Sequence, residues 1–291
     1  MSRVGICTVN YRSANSIAVL LSSLNGVLEI EECKICIVDN SDERDQLESI
    51  VDRFGSKLDV HLVNSGHNVG FGAGNNIGSD ILINEFDCSI LWFVNPDIEI
   101  VSMDLARLRD DVTSGVEVGI WGTVVTEPNR APRAGISRLS TLTGMIVGRD
   151  DSVSPPKSSL EFVNGNSMVV RAELWARLAG FSQDYFLYFE EPDLAKRVEK
   201  LSFCLASTRS IEVNHGQGVT TGANADEWSH VSLKYTSQSA VIFFRKYYPA
   251  RLPIVIGIRL YHSVLVARKD IRAATAILSG LISGVFRRLN R

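Results

Sequence analysis

The chain has no excess of basic charge: 30 lysines and arginines against 33 acids leave a net charge of −3 over 291 residues. That argues against nucleic acid as the main partner, because a general positive field is what draws a protein to a phosphate backbone. Any basic patch must be local. There is no disulfide framework either. The five cysteines, Cys7, Cys33, Cys36, Cys88 and Cys204, are odd in number and scattered, and Met1-Ser2-Arg3 runs straight into a strand without a signal peptide. A reducing cytoplasm is the expectation. Cys33 and Cys36 do form a CxxC, but in a strand-like stretch where residues three apart point to opposite faces, so they read as two packed thiols. Two phosphate-binding signatures are missing as well. Gly70, Gly72, Gly74 and Gly78 fail the G-x-G-x-x-G spacing and follow the third strand, not the first, which argues against a dinucleotide oxidoreductase. The turn Asn10-Tyr11-Arg12-Ser13 lacks the glycine- and arginine-rich loop expected of a sugar nucleotidyltransferase. Finally, the uncharged run 273–286 is too short to span a bilayer, since a span needs ~20 apolar residues.

What is present is a hydrophobic content of 45%, enough for one large core or two modest ones. Val4-Gly5-Ile6-Cys7-Thr8-Val9 reads as a first strand, and Ile17, Leu20, Leu21 and Leu24 keep helical spacing after it. The pattern repeats: a strand from Ile35 to Val38, a helix burying Leu47, Ile50, Val51 and Phe54, a third strand at Val60-His61-Leu62-Val63, then a helix beginning near Asn75. Such alternation predicts an α/β protein with a mostly parallel, doubly wound central sheet flanked by helices. Ile90-Leu91-Trp92-Phe93-Val94 is its central strand, and Pro96 ends it. Ligands of open α/β sheets sit outside the carboxyl ends of the strands, so Asp97 would face a crevice, where a hard oxygen ligand suits magnesium or manganese carrying a diphosphate. The alternative is that Asn95, Pro96 and Asp97 simply make a turn.

Asp39 likewise stands at a strand's carboxyl end, placed either to accept hydrogen bonds from a base or ribose or to cap the next helix. The loop around Asn68, Gly70, Gly72 and Asn76 offers backbone amides that could approach a phosphate closely. Residues 116–121 form another strand, 126–159 a long mobile excursion, and 162–170 a strand with a glycine kink. Beyond a short helix comes Gly180-Phe181-Ser182-Gln183-Asp184-Tyr185-Phe186-Leu187-Tyr188-Phe189, an aromatic wall suited to stacking a sugar. It runs into Glu190-Glu191-Pro192-Asp193-Leu194, where the proline marks a first helical turn and one carboxylate could take a hydroxyl proton. An acidic helix start also stabilises the helix without any function.

In this order and spacing the chain resembles the family-two inverting glycosyltransferases of the GT-A fold, especially the bacterial rhamnosyltransferase-like branch that builds surface polysaccharides such as the O-antigen of lipopolysaccharide. The motifs are Val9-Asn10-Tyr11, Val38-Asp39-Asn40-Ser41, the loop 68–78, Asn95-Pro96-Asp97, and 180–194 followed by Arg197. The resemblance implies that Asp39 contacts the base and that Asn10, Tyr11, Asn68, Gly70, Gly72, Asn76 and Asn95 line a nucleotide-sugar pocket. It further implies that Asp97, with His215, holds Mg²⁺ or Mn²⁺, that Glu191 is the catalytic base, and that Tyr188, Glu190 and Asp193 stand around the acceptor. The donor would be a dTDP- or UDP-sugar, with dTDP-rhamnose suggested by the branch, and the acceptor a glycan or lipid-linked sugar. Two positions depart from the family: Asn95 replaces a frequent Asp of the metal motif, and Glu191 is one methylene longer than the usual Asp. The missing carboxylate at 95 keeps a non-catalytic nucleotide-sugar or polysaccharide-binding module as the alternative.

The expected division is a transferase domain over 1–227 and a helical extension over 228–291. Arg259, Arg268, Lys269, Arg272, Arg287, Arg288 and Arg291 give the extension the cations of an interfacial helix on the anionic inner face of the cytoplasmic membrane. A hairpin packed on the domain or at a homodimer interface is the alternative.

Overall fold

The computed structural model describes residues 2–27, 33–55, 57–114, 117–148, 156–216 and 229–289. Val116, Pro155, Gln217, Gly218, the 227/228 boundary and Arg291 lie outside them. The first half is the expected alternation: β1 (Val4–Asn10), α1 (Ala14–Val27), β2 (Cys33–Asp39), α2 (Arg44–Asp52), β3 (Val60–Asn64), α3 (Phe71–Asn84) and β4 (Ile90–Val94). Strands β3, β2, β1 and β4 are parallel neighbours in that order. All five residues of β4 are buried, as an apolar run covered on both faces should be. The apolar stripe of α1 seals one face. Helix α3 lies very close to the other, because Gly74 and Gly78 leave room for Val9, Cys7 and Val38. It begins at Phe71, earlier than the sequence pattern suggested, so Gly72, Gly74 and Gly78 are helical residues that permit close packing.

The second half mixes parallel and antiparallel pairs. It comprises β5 (Ile98–Met103), α4 (Leu105–Ser114), β6 (Val118–Thr126), β7 (Arg133–Ala134), β8 (Ile136–Ser140), β9 (Ile146–Gly148), β10 (Ser159–Val163), β11 (Ser167–Arg171), α5 (Ala172–Leu178), α6 (Glu190–Lys200) and β12 (Cys204–His215). The sheet order is β3-β2-β1-β4-β11-β6-β12-β5, with β11 antiparallel to both β4 and β6. Strands β4 and β5 are thus far apart in the sheet although only Asn95, Pro96 and Asp97 separate them in the chain. The sheet must therefore curl, and that tripeptide is its corner. Ile98 N–H donates to the Asn95 carbonyl (3.2 Å) and Gly216 N–H to that of Asp97 (3.2 Å), closing the corner onto the end of β12.

Two expectations for this half need correction. The excursion 126–159 carries strands β8 and β9, which with β10 at its end form a second, three-stranded sheet in the order β10-β8-β9. The strand expected over 162–170 is two strands in different sheets, broken at Asn164-Gly165-Asn166. Both errors come from reading a local pattern where pairing is set by distant partners.

The extension folds as α7 (His230–Tyr247), a 3₁₀ turn (Pro249–Arg251), α8 (Leu252–Ala267) and α9 (Ile271–Phe286). Helix α7 is not separate from the domain: its Phe243 and Phe244 share a buried cluster with Leu139, Phe162, Tyr185 and Phe189. Helix α9 packs along α7 through Gly284, where a Cβ would lie 2.7 Å from the Gln238 carbonyl. Pro249–Ala267 is, at 19 residues, one helix long and apolar enough to cross a membrane by length and composition.

Candidate functional site

Over the carboxyl ends of β1 and β4 lies a cavity of about 400 Å³. Four of the segments that wall it were expected: Tyr11 after β1, Asn68 and Gly70 before α3, Asn95 and Pro96 at the corner, and Tyr188, Glu190 and Glu191 at the start of α6. Sequence reasoning missed the rest of the lining. Gly165 and Asn166 enter from the turn between β10 and β11, and Ser229, Val231 and Ser232 from the first turn of α7. Asn164-Gly165-Asn166 was visible as a turn signal, but nothing local marked the serines.

The acidic wall is set by an unusual backbone. Tyr188 and Phe189 both have φ of 70°, left-handed values that side chains with a Cβ rarely adopt and that cluster at functional sites. The pair swings the chain so that α6 starts at the cavity. Glu191 is partly buried, and its Oε1 accepts a hydrogen bond from Gly165 N–H (3.0 Å). Glu190 is buried, and its Oε1 has no hydrogen-bond partner among the described residues. Burial pushes both carboxyls above the ordinary range. Glu190 goes the further because the Glu191 charge adds to burial, whereas amides of Gly165 and of Glu191 itself pull Glu191 back. Of two such neighbours, Glu190 is the one that holds its proton first.

Asp193 does not reach the cavity, contrary to expectation. It is fully buried and saturated: Oδ2 accepts from Arg197 Nε (2.7 Å), and Oδ1 from Lys246 Nζ (2.9 Å), Tyr247 OH (2.9 Å) and Tyr185 OH (3.2 Å). It ties α6 to α7. The aromatic wall is likewise mostly core, since Phe181, Tyr185 and Phe189 are buried and only Phe186 and Tyr188 face the cavity. Tyr188 OH donates to Ser232 Oγ (2.9 Å).

Asn76 is turned to structure too: its amide accepts from Phe181 N–H (2.8 Å) and donates to the Phe181 carbonyl (2.9 Å). Gly72 makes room for Phe181 and Glu190, not for a ligand. Gly70, at φ 92°, passes so close to the Phe186 carbonyl that no Cβ would fit, and Asn68 Oδ1 accepts its N–H (3.0 Å). The loop is thereby stitched to the aromatic stretch.

Asp39 is fully buried at the end of β2. Its Oδ1 accepts from Asn10 Nδ2 (3.0 Å), Ser41 N–H (2.9 Å) and Ser41 Oγ (2.8 Å), while Oδ2 has no partner among the described residues. It does not cap α2, whose N-cap position is Glu43. Asn10 Oδ1 accepts from Ser13 N–H (3.2 Å) at the start of α1, so Asn10 links the ends of β1 and β2.

On the other side of the corner, Asp97 and His215 line a second cavity of about 600 Å³. Asp97 Oδ2 stands 3.6 Å from His215 Nε2. Burial lowers the proton affinity of His215, but hydrogen bonding to Asp97 and the charges of Asp97 and Glu127 outweigh it and the net shift is upward. No third His, Cys, Asp or Glu converges on the pair among the described residues. One carboxylate and one imidazole do not make a closed zinc cage. They do fit a hard cation that keeps several positions for water and phosphate oxygens.

Residues 4–152 match the family described as glycosyl transferase family 2, more than half of the chain. The chain belongs to that family. It is 24% identical over 223 residues to the low-salt glycan biosynthesis hexosyltransferase Agl10 of Haloferax volcanii, covering 74% of this chain and 68% of that one. It is 22% identical over 255 residues to the N-acetylglucosaminyl-diphospho-decaprenol L-rhamnosyltransferase of Mycobacterium tuberculosis, covering 80% of this chain and 81% of that one. The structure of GalNAc-T7 with UDP, GalNAc and Mn²⁺ superposes with a TM-score of 0.62 at 10% identity. That superposition covers 83% of this chain and 48% of GalNAc-T7, so this chain spans about half its length. The architecture is the GT-A fold, and this glycosyltransferase carries its helical extension docked on it.

Proposed function

We propose that the transferase is inverting and metal-assisted, moving a sugar from a dTDP- or UDP-sugar to a hydroxyl of a glycan or lipid-linked acceptor. The observation that carries this is Glu191: a carboxylate with a raised proton affinity, held by the Gly165 amide at the wall of a cavity that Asn95 and Pro96 also bound. Glu191 takes the proton of the acceptor hydroxyl as that oxygen attacks the anomeric carbon from the face opposite the leaving diphosphate. Glu190, protonated beside it, keeps a second negative charge away from the base. Asp39, through the Oδ2 that has no partner among the described residues, would meet the base with Asn10 beside it, and Tyr11, Asn68, Gly70 and Asn95, which line the cavity, would meet the rest of the donor. Asp97 and His215 would hold Mg²⁺ or Mn²⁺, which neutralises the leaving diphosphate when bound.

Rhamnose is the donor sugar favoured, by likeness to the mycobacterial rhamnosyltransferase, and a polyprenyl-diphosphate sugar the acceptor class. Five scattered cysteines, four of them buried, go with an enzyme of the reducing cytoplasm. The test is Glu191→Gln assayed with a panel of nucleotide sugars. Transfer should drop by about 10²–10⁴-fold, the usual range for a lost general base, with donor binding unchanged. Near wild-type turnover, or retention of the donor's anomeric configuration in the product, would overturn the mechanism.

A further inference from the structure

The extension is strongly segregated in charge. Residues 249–289 carry seven arginines and lysines and a single acid, Asp270, in a chain whose net charge is −3. The apolar residues of α8 are uncovered to an unusual degree: of its 16 residues only Val255 and Ser263 are buried. Ile254, Leu260, Tyr261, Val264 and Leu265 all face solvent.

The path of α8 shows that this face lies along the molecule. Helices α7 and α9 run parallel. His230 Nε2 lies 2.7 Å from Asp270 Oδ2 at one end, and at the other Arg245 Nη1 donates to the carbonyls of Gly284 (2.6 Å) and Arg287 (3.0 Å). Helix α8 returns between them, its Leu252 packed on the domain's core and its Val266 on the α7–α9 cluster. Both ends of α8 are thus fixed to the domain, and the helix is not aimed away from it.

A second apolar element stands at the start of α8. The turn of the β8–β9 hairpin exposes Leu142, Met145, Ile146 and Val147, Met145 by 58%. It is locked in place, for Arg251 donates to Thr141 Oγ1, and Gly144 sits where a Cβ would press on Phe244 (3.2 Å) and Val255 (3.3 Å). At the opposite end, the α8–α9 corner with exposed Arg268, Lys269 and Arg272 meets the first turn of α7. There Val231, 56% exposed, lines the cavity.

We infer that the β8–β9 hairpin tip and the outer face of α8 form one membrane-docking surface, lying in the plane of an anionic bilayer and ending at the mouth of the catalytic cavity. Apolar side chains enter the headgroup boundary and the arginines and lysines meet lipid phosphates, the two contributions that hold an interfacial helix. A hairpin anchor fixed at one end of α8 sets the tilt, which a lone helix would not. The inference is independent of the reaction proposed above, because binding is read without donor or acceptor.

The test uses the full chain and vesicles of phosphatidylglycerol with phosphatidylcholine, beside phosphatidylcholine alone. The protein should co-sediment with the anionic vesicles, less at high salt, and leave them on an alkaline carbonate wash. Met145→Glu with Val147→Glu should lower the bound fraction about ten-fold while donor-nucleotide binding and Tm stay unchanged. Ile254→Glu with Val264→Glu should do the same. Wild-type binding by the hairpin variant, or no binding by the unaltered chain, would overturn the inference. Retention after the carbonate wash would replace docking by a span. A concentration-dependent dimer that the hairpin variant loses, without vesicle binding, would make a second copy the occupant.

Discussion

A base that must remove a proton from a sugar hydroxyl works best with a pKa near the working pH. In Glu191 burial supplies the upward push and the Gly165 amide limits it. Since only the ionised form accepts a proton, activity is present above that pKa and lost as the pH falls through it. The acid limb of kcat/KM should therefore lie above the ordinary glutamate value, and a pH–rate profile checks it. An identical limb in Glu191→Asp would assign the titration to another group. Glu190 makes the complementary prediction. Its folded pKa is raised, so it stabilises fully below the unfolded value and loses that contribution as pH rises through the folded one. Glu190→Gln should accordingly raise stability at neutral pH, by on the order of 1 kcal/mol or about 2–4 °C in Tm, and the gain should shrink in acid. The sequence showed the acidic helix start but could not sort its carboxylates. What makes Asp193 structural is Lys246, 53 residues later, and what holds Glu191 is an amide 26 residues earlier.

Elements differ in the same way from their local signals. The glycines of 70–78 look like a phosphate loop, yet three of them serve the approach of α3 to the sheet and to Phe181. Composition alone does not distinguish an open amide from a missing Cβ. The extension gives a clean contrast. A Cβ at Gly257 on α8 would meet nothing within 4 Å, while one at Gly284 on α9 would lie 2.7 Å from the Gln238 carbonyl. Gly257→Ala should stabilise by about 0.5–1 kcal/mol through helix propensity. Gly284→Ala should destabilise by about 1–3 kcal/mol, because packed backbone must move apart. Paired denaturant titrations decide this, and the same sign for both would refute the packing described for α9. Lys246→Met tests the join between α6 and α7. It leaves Asp193 buried with one cation fewer and should cost about 3–5 kcal/mol. A loss under 1 kcal/mol would mean that Arg197 and the two tyrosines suffice.

At the scale of the molecule, the strand–helix alternation of residues 4–94 was legible because each strand and helix carries its own apolar period, β1, β2 and β3 pairing in chain order and β4 joining β1. The curl at Asn95, Pro96 and Asp97 was not, since β5 finds its partner in β12, more than 100 residues later. Of the two readings of the extension, packing on the domain describes α7, which is buried on two sides by partners distant in the chain. Removing residues 250–291 would uncover Leu233 and Val241, so the shortened chain should show a sharply reduced soluble yield. Soluble yield equal to that of the full chain would show α7 self-sufficient.

The parallel clasp of α7 and α9 also orders events on the ribosome. Domains fold from the N-terminal end as they emerge, and the β1–β4 half needs nothing that follows residue 94 to pair its strands. Helix α7 is different. Its outer side waits for α9, the last described helix, and until α9 has left the exit tunnel the nascent chain displays both that side and the whole of α8. The stretch most prone to capture by a chaperone or by lipid thus emerges only after the fold that will position it is made.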